Sequence, residues 1–334
     1  MKLGKYLIVL AVSLFFIVTL TNPVAAAAKV DKDLWIVFSV KNIVNPFWNG
    51  CWVGAQKAAA EYEGVRLTYT SPMVSDSIEE QMRNFDDIIL KRPDGIVFVP
   101  TDYVAMAPTV AKMNKAKIPV FNYNNRLTGG TSEIFVGSND EQMGYEDAKY
   151  VFNAVGNKGN VIFQHGVPGS STAQDRVKGW TRALKETPGM NLLTTQPADY
   201  NRMKAMQVME NLLQRYPKID VVLAANDEQA LGCVEAIDAA GRLDQIKDTG
   251  IDANLDATAS VNAGRQFATV NFSGHDQGYI VTKAAIEFLR GKKIPKEVML
   301  PIVIVTKENV KPYMLKPEDK PKPDYNKIMK EAKW

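Results

Sequence analysis

Amide and aromatic side chains directly follow apolar runs of the sequence, and their chemistry suits a polyhydroxylated ligand. Asn45, Phe47 and Trp48 come after one such run, and Asn226 comes after a later one. An amide both donates and accepts hydrogen bonds, and an aromatic face packs well against the slightly positive C–H groups of a sugar. The same residues also suit a purely structural role, Asn226 as a helix N-cap and the rings as a contact between a helix and the core. The sequence leaves both interpretations open.

Further polar candidates stand at other predicted strand ends. Asn124 and Asn125 lie in an amide-rich segment after a β-branched run, Asp252 follows a weaker run, and Tyr200 lies in the sequence PADYNR at residues 197–202. Each ligand hydroxyl donates and accepts, and a buried site must satisfy both roles. Amides, one carboxylate and aromatic rings therefore favour a small neutral sugar or polyol. Asn is also common in turns for local reasons, which is the alternative for the two asparagines.

Sequence signatures of catalysis and of cofactor or metal binding are absent from the chain. It has no Gly-x-Gly-x-x-Gly turn, no phosphate-binding loop and no nucleophile elbow. His165 and His275 are its only histidines, far apart and without a motif around either, and its carboxylates show no metal-loop spacing. We therefore expect no catalytic residue, no metal and no cofactor, and a binding protein rather than an enzyme.

The charge balance and the cysteine count limit the function further. The chain has 40 basic and 37 acidic side chains, and this near neutrality gives no indication of nucleic acid or of an anionic membrane surface as a partner. Cys51 and Cys233 are the only cysteines. We interpret both as buried small apolar residues rather than as a disulfide.

The first 28 residues have the three-part layout of a secretory signal. Lys2 and Lys5 precede an apolar run at residues 6–20, and the small residues at 25–28 suit a signal peptidase. The run is shorter than the roughly 20 residues that span a bilayer, so we favour cleavage over a membrane anchor. No cysteine stands directly after the run, where it could carry a lipid. We expect a diffusible periplasmic monomer that is not embedded in the membrane.

The elements that must position the polar candidates alternate along the rest of the chain. β-Branched runs alternate with amphipathic helical segments, and a helical pattern at residues 81–93 recurs at 207–217, each time before a strand. Repeated strand–helix–strand units predict a parallel sheet with helices on both faces, and the recurrence predicts an α/β fold with two doubly wound lobes. In such sheets the ligand crevice lies beyond the carboxyl ends of the strands, where the candidates stand. The predicted strands occupy residues 34–40, 65–70, 96–99, 118–121, 160–164 and 221–225, and the predicted helices include residues 75–90, 109–116 and 173–185.

Three motifs in this order resemble the periplasmic ribose-binding family of type I sugar-binding proteins. They are NPFW at residues 45–48, QPADYNR at 196–202 and NDEQALG at 226–232, and the resemblance covers roughly residues 34–305. It implies the type I periplasmic-binding-protein fold, with a hinge of three crossings, closure over the ligand and delivery of the ligand to an ABC permease in the membrane. The implied crossings fall near residues 138–140, 273 and 302–305. The implied lobes are residues 29–138 plus 274–303 and residues 139–273 plus 304–315, and the Lys/Pro-rich tail at 316–334 has no predicted role.

The resemblance also assigns a set of ligand residues, some of which depart from the family pattern. It implies ligand contacts for Asn45, Phe47, Trp48, Arg176, Tyr200, Asn226 and Asp252. Asn124 and Asn125 stand where ribose binders have Asp-Arg, Gln174 stands in place of an Arg, and Phe272 stands roughly in place of a Gln. These changes remove charges of opposite sign and add apolar surface. We therefore expect a neutral ligand other than ribose, such as a different sugar ring or a less oxidised polyol.

Three other classes of function share parts of this pattern. A sensory receptor that presents its ligand to a chemoreceptor or a sensor kinase would have the same pocket. An exported enzyme on a two-lobed scaffold is a further alternative, since a fold does not fix a function. A regulator with this type of ligand domain would need an N-terminal helix-turn-helix, and the predicted signal occupies that position.

Overall fold

The first of two sheets gathers strands from both ends of the described chain. The computed structural model describes residues 33–334, so the predicted signal at residues 1–28 lies outside it. The sheet consists of β1 (Leu34–Ser39), β2 (Val65–Thr70), β3 (Gly95–Phe98), β4 (Val120–Tyr123), β5 (Ile134–Gly137) and β11 (Glu297–Met299). Its order is β11-β5-β4-β3-β1-β2, and all neighbouring pairs are parallel. We call this sheet and its helices the first lobe.

The second sheet repeats the plan with one antiparallel edge. It consists of β6 (Gly159–His165), β7 (Met190–Pro197), β8 (Val221–Ala224), β9 (Lys247–Ile251), β10 (Ala268–Asn271) and β12 (Val303–Val305). Its order is β12-β10-β9-β8-β6-β7, with only the β10–β12 pair antiparallel. This sheet and its helices form the second lobe. The predicted α/β fold with two doubly wound lobes is confirmed.

Helices cover both faces of each sheet. They are α1 (Pro46–Ala59), α2 (Ile78–Lys91), α3 (Ala107–Lys115), α4 (Asp140–Ala154), α5 (Ser171–Lys185), α6 (Arg202–Arg215), α7 (Asp227–Ala239), α8 (Leu255–Ala263), α9 (Gly274–Leu289) and α10 (Tyr325–Glu331). In the first lobe one core lies between the sheet and the pair α1 and α9, and another lies on the side of α2 and α3. In the second lobe the corresponding cores involve α4 and α5 on one face and α6 and α7 on the other. Strands buried on both faces in this way have near-continuous apolar sequences. For this reason the apolar runs of the sequence predicted where the strands lie.

The helices α1 and α9 pack closely although they are far apart in the sequence. A Cβ at Gly54 would lie 1.9 Å from the His275 carbonyl oxygen, and one at Gly278 would lie 1.9 Å from the Cys51 carbonyl oxygen. Only glycine allows this approach at either position. The first lobe is therefore completed by a helix from late in the chain.

The chain passes between the lobes several times within residues 33–334. It does so between β5 and α4, between β10 and α9, and between β11 and β12. After β12, Val310 packs on the second lobe, and the segment then returns to bury Tyr325 and Met329 against the first lobe. None of the helices in this part of the chain has the length and apolar character needed to cross a bilayer.

Several predicted element boundaries were wrong by a few residues, for local reasons. The strand predicted from residue 118 begins at Val120, because Pro119 has no N–H to donate to a neighbouring strand. Helix α2 begins at Ile78 rather than at residue 75, since the Ser77 side chain accepts a hydrogen bond from the Glu80 amide and caps the helix there. Helix α3 begins two residues before the predicted start.

Candidate functional site

A small cavity lies between the lobes, at the carboxyl ends of the strands. Its volume is about 30 Å³, which is room for about two water molecules. Residues from both lobes line it: Lys41, Asn42, Asn45, Phe47, Trp48, Asp76, Asn124, Asn125, Thr172, Arg176, Tyr200, Asn226 and Phe272. The lobes are thus closed on each other, and entry of a sugar-sized ligand requires them to separate.

Most of the residues proposed from the sequence meet at this cavity. Asn45, Phe47, Trp48, Asn124, Asn125, Arg176, Tyr200, Asn226 and Phe272 all line it. Asp252 lines an adjoining cavity of about 270 Å³ and reaches the first one through a hydrogen bond to Asn45. Gln174 does not line it. Its exposed side chain accepts a hydrogen bond from the Tyr103 hydroxyl and donates one to the Pro168 carbonyl, at the rim between the lobes.

Asn45 connects the two lobes directly. Its Oδ1 accepts from the Phe47 amide and so caps α1. The same oxygen accepts from Asn254 Nδ2 at 3.0 Å, and Asn45 Nδ2 donates to Asp252 Oδ2 at 3.0 Å. One amide therefore caps a first-lobe helix and holds a loop of the second lobe.

Aromatic rings form the apolar wall of the cavity. Phe47 and Phe272 stack with ring centroids 4.8 Å apart and planes 18° from parallel. Trp48 meets Phe47 edge-on, with centroids 5.0 Å apart. Rings arranged in this way present flat faces to which the C–H groups of a sugar ring can bind.

Arg176 brings a buried positive charge to the second-lobe side. Its Nε donates to Asp140 Oδ1 at 3.0 Å, and an Nη donates to the Ala225 carbonyl. Burial opposes the charge, but the neighbouring Asp140 favours it, and the pKa of Arg176 lies above its usual value. Burial in turn raises the pKa of Asp140, against the opposing effect of Arg176. This cation is therefore matched by an anion before any ligand binds.

The carboxyl group of Asp252 has a strongly raised pKa. Burial raises its pKa well above the usual value, the charge of Asp227 adds to this effect, and Arg176 opposes it. The carboxyl group thus holds its proton to a higher pH than an exposed aspartate. A protonated carboxyl group both donates and accepts hydrogen bonds, as a ligand hydroxyl requires.

Strained backbone conformations occur at the same place. Asp76, Asn124 and Tyr200 have φ of 57°, 58° and 57°, and Asp252 has φ of 138°. Residues other than glycine rarely adopt such values. Backbone strain of this kind tends to collect at binding and catalytic sites, which supports the choice of this cavity as the functional site.

The sequence reasoning missed an ion pair that lines the cavity. Lys41 Nζ lies 3.2 Å from Asp76 Oδ1, and both side chains are buried. Asn42 Nδ2 donates to Asp76 Oδ2 at 2.8 Å, and the Lys41 ammonium lies over the Tyr200 ring, 5.4 Å from its centroid. Lys41 directly follows the first apolar run, at the same sheet edge as Asn45, and that position was the available signal.

Thr172 is a second lining residue that the sequence reasoning missed. Its hydroxyl lies 3.0 Å from the Tyr200 hydroxyl and 2.8 Å from Ser170 Oγ. Ser170 Oγ accepts from Asn125 Nδ2 at 2.9 Å. A chain of hydroxyl and amide groups therefore links the two lobes beside the cavity.

Clustered metal ligands and reactive thiols are scarce in the described part of the chain. No group of three or more potential metal ligands occurs within residues 33–334. Cys51 and Cys233 are free and buried, as predicted, and burial raises the pKa of both thiols. The arrangement of the cavity residues can hold a ligand by hydrogen bonds and ring contacts.

Comparison with known proteins gives consistent matches over most of the chain. The family model described as periplasmic binding protein domain matches residues 36–293. The ribose import binding protein of Bacillus subtilis (strain 168) is 32% identical over 277 residues, which are 83% of this chain and 88% of that protein.

Solved structures with bound ligands have the same fold. An ABC transporter solute binding protein from Bacillus halodurans C-125 with bound myo-inositol has a TM-score of 0.80 and 28% identity, covering 86% of this chain and 99% of that one. An ABC transporter periplasmic solute binding protein from Actinobacillus succinogenes 130z with bound D-allose has a TM-score of 0.78 and 28% identity, covering 83% and 99%.

Proposed function

We propose a function from the premise that this chain belongs to the periplasmic binding protein family. The chain is the substrate-binding component of an ABC-type importer and captures a small neutral sugar or polyol between its lobes. The relatives named above are a ribose import binding protein and two solute binding proteins of ABC transporters, one with bound myo-inositol and one with bound D-allose. The periplasmic location, the cleaved signal and delivery to a membrane permease are parts of the same proposal.

The observation that carries the proposal is the composition of the inter-lobe cavity. Its two cations, Lys41 and Arg176, each have a carboxylate partner, Asp76 and Asp140. A charged ligand would add an unmatched charge to a buried site, which is costly. A neutral ligand with several hydroxyl groups matches the amides and paired charges without that cost.

Closure follows from the same arrangement. A ligand favours the closed form only through contacts that it lacks in the open form. In this cavity such contacts come from both lobes, with Asn45 and Trp48 on one side and Tyr200 and Asn226 on the other. Closure over the ligand would then give a permease a surface that differs between the loaded and the free protein.

The test is thermal unfolding of residues 29–334 with a panel of small molecules. The panel contains myo-inositol, D-allose and D-ribose, with glucuronate and ribose 5-phosphate as charged counterparts. A ligand at 100 times its dissociation constant adds about 2.7 kcal/mol of stability, a shift of a few degrees in the midpoint. We expect a neutral compound to produce the shift, with no shift from the charged compounds.

A matched pair of variants tests the cavity itself. Asn226 caps α7 through Oδ1, while its buried Nδ2 has no partner among the described residues. Asn226→Asp keeps the cap but removes the Nδ2 donor, and should weaken binding at least tenfold. Asn201→Asp, at the exposed cap of α6, should bind like the wild type. A shift from charged compounds alone would contradict the ligand class, and turnover of the bound compound would indicate an enzyme.

A further inference from the structure

The chain returns from the second lobe to the first after its last strand, separately from the passages that follow β5, β10 and β11. We call residues 310–320 of this return the strap. Its first part packs on the second lobe, where Val310 is buried in an apolar cluster with Val261 of α8. Tyr313 and Met314 pack against the same cluster. One end of the strap is therefore held on the second lobe by apolar contacts.

The other end of the strap is held on the first lobe by hydrogen bonds. Lys57 Nζ, in the last turn of α1, donates to three carbonyl oxygens of residues 317–320. Directly beyond the strap, Lys322 Nζ lies 2.8 Å from Glu61 Oε1. Hydrogen bonds with a charged donor are stronger than those between neutral groups, so this end is fixed to α1.

The link between the two held ends is very short. Only Leu315 and Lys316 lie between them, and both are exposed. From the Cα of Met314 to the Cα of Pro317 the chain can span at most about 11 Å when it is fully extended. The places that hold the strap on the two lobes therefore cannot move further apart than this unless one end is released.

The strap lies over the seam between the lobes. Leu315, Pro317 and Lys320 line the inter-lobe cavity of about 270 Å³, together with Asn49 of the first lobe and Leu255 of the second. The start of α9, directly after one of the passages between the lobes, lines the same cavity. No residue of the strap lines the smaller cavity in which the ligand is proposed to bind. Its position thus allows it to restrain the motion of the lobes without touching the ligand.

We propose that the strap limits how far the two lobes open in the ligand-free protein. While both ends hold, α1 and α8 stay within the reach of a two-residue link, and the widest open conformations are excluded. A narrower range of open conformations leaves less freedom to be lost on closure, so the strap also favours ligand binding. The restraint acts in the ligand-free protein and does not depend on which ligand the lobes enclose.

An insertion that lengthens the link and keeps both held ends tests this directly. Eight Gly and Ser residues between Leu315 and Lys316 raise the reach of the link to about 40 Å, and a flexible insertion of this size costs little stability. The matched control places the same eight residues between Lys292 and Lys293, in an exposed loop of the first lobe.

The opening is measured by pulsed electron paramagnetic resonance between spin labels at Met73→Cys and Met203→Cys. Both methionines are exposed and follow β2 and β7, at the sheet edges opposite to β11 and β12. Cys51 and Cys233 are buried, so they should not take up label. Without ligand, the strap insertion should shift the distances to longer values and broaden their distribution. The control insertion should keep the distribution of the labelled wild type.

Lys57→Met, which releases the first-lobe end, should shift the distances in the same direction, and it decides the question if the strap insertion does not fold. An unchanged distribution in the strap insertion, or an equal shift in the control insertion, would overturn the inference and leave the proposed function standing. A compound that binds the wild type should bind the strap insertion about three- to tenfold more weakly, with the distance in the bound state unchanged. Failure of every panel compound to bind would count against the proposed function alone.

Discussion

At the residue level, Asn45 combines a local role with a long-range one. Its Oδ1 caps α1, and its Nδ2 donates to Asp252 across the cleft. The cap could be inferred from the sequence, because an asparagine precedes a proline at the helix start. The contact with Asp252 could not, since it depends on how the lobes meet.

Replacement of Asn45 by aspartate separates the two roles. The carboxylate still caps α1, so the free energy of unfolding should fall only by the loss of the hydrogen bond to Asp252, about 1 kcal/mol. The inter-lobe donor is lost and a carboxyl group faces Asp252, so ligand affinity should fall about tenfold. Since burial raises the pKa of Asp252, one of the two carboxyl groups should take up a proton as the pH falls, and the loss should shrink at pH 5. Titration calorimetry at pH 5 and pH 8 measures the affinity of the variant and of the wild type. A loss of affinity that is equal at the two pH values would contradict this account.

Lys41 illustrates why part of the site escaped sequence reasoning. A lysine after a strand is usually solvated, and nothing local indicates that its side chain is 3% exposed. Its burial depends on Tyr200 from the other lobe and on Asp76, which lies 35 positions further along the chain. The amides and rings were found because their positions at strand ends are a local property. Contacts between distant segments are not a local property, so the sequence did not indicate them.

At the level of elements, the C-terminal segment at residues 316–334 was the part left without a predicted role. Its helix α10 has only seven residues, too few for a periodic pattern to be recognised in the sequence. In the structure the segment is anchored to α1. Lys57 Nζ donates to the carbonyl oxygens of Pro317, Glu318 and Lys320 at 3.2, 2.8 and 2.7 Å.

Further contacts hold the end of this segment to the first lobe. The Tyr325 hydroxyl donates to Glu287 Oε2 at 3.0 Å, and Lys333 forms a β-bridge with Glu297. Because α9 and β11 supply these partners, the segment covers the part of the lobe that comes from late in the chain. It adds to the core of that lobe, through Tyr325 and Met329.

Lys57→Met should loosen this anchor. Three carbonyl groups lose a charged donor, and we expect the free energy of unfolding to fall by about 1 to 2 kcal/mol, with faster proteolytic cleavage near residues 314–324. Urea unfolding and mass spectrometry of limited digests measure the two effects. Lys112→Met, which removes an exposed lysine of the same lobe, should change stability by less than about 0.5 kcal/mol. Equal cleavage rates in wild type and Lys57→Met would show that the anchor does not hold the segment.

At the level of the whole molecule, the second lobe carries a cluster of buried carboxyl groups beneath the site. Burial raises the pKa of Asp147 to about 7 and raises those of Asp227 and Asp248 above their usual values. The Thr249 hydroxyl donates to Asp147 Oδ2 at 3.0 Å, and the Thr269 hydroxyl donates to Asp227 Oδ1 at 2.6 Å. These threonines lie on the neighbouring strands β9 and β10, so the cluster joins the sheet to α4 and α7.

This cluster should make the protein less stable as the pH rises. In the unfolded chain Asp147 loses its proton near pH 4, whereas in the folded chain it holds the proton to about pH 7. The folded state therefore binds more protons between these values, and the free energy of unfolding must fall across that range. A shift of about three pKa units sets an upper limit of about 4 kcal/mol for this residue.

Asp147→Asn tests the assignment, because asparagine resembles the protonated carboxyl group in shape but does not ionise. Urea unfolding at pH 5 and pH 8 should show a smaller pH dependence in the variant than in the wild type, and higher stability than the wild type at pH 8. Asp86→Asn, at an exposed site paired with Lys112, should keep the wild-type pH dependence. A variant with an unchanged slope and lower stability at pH 8 would mean that Asp147 is ionised and stabilising in the folded protein. The lobe would then hold a buried charge that its surroundings satisfy.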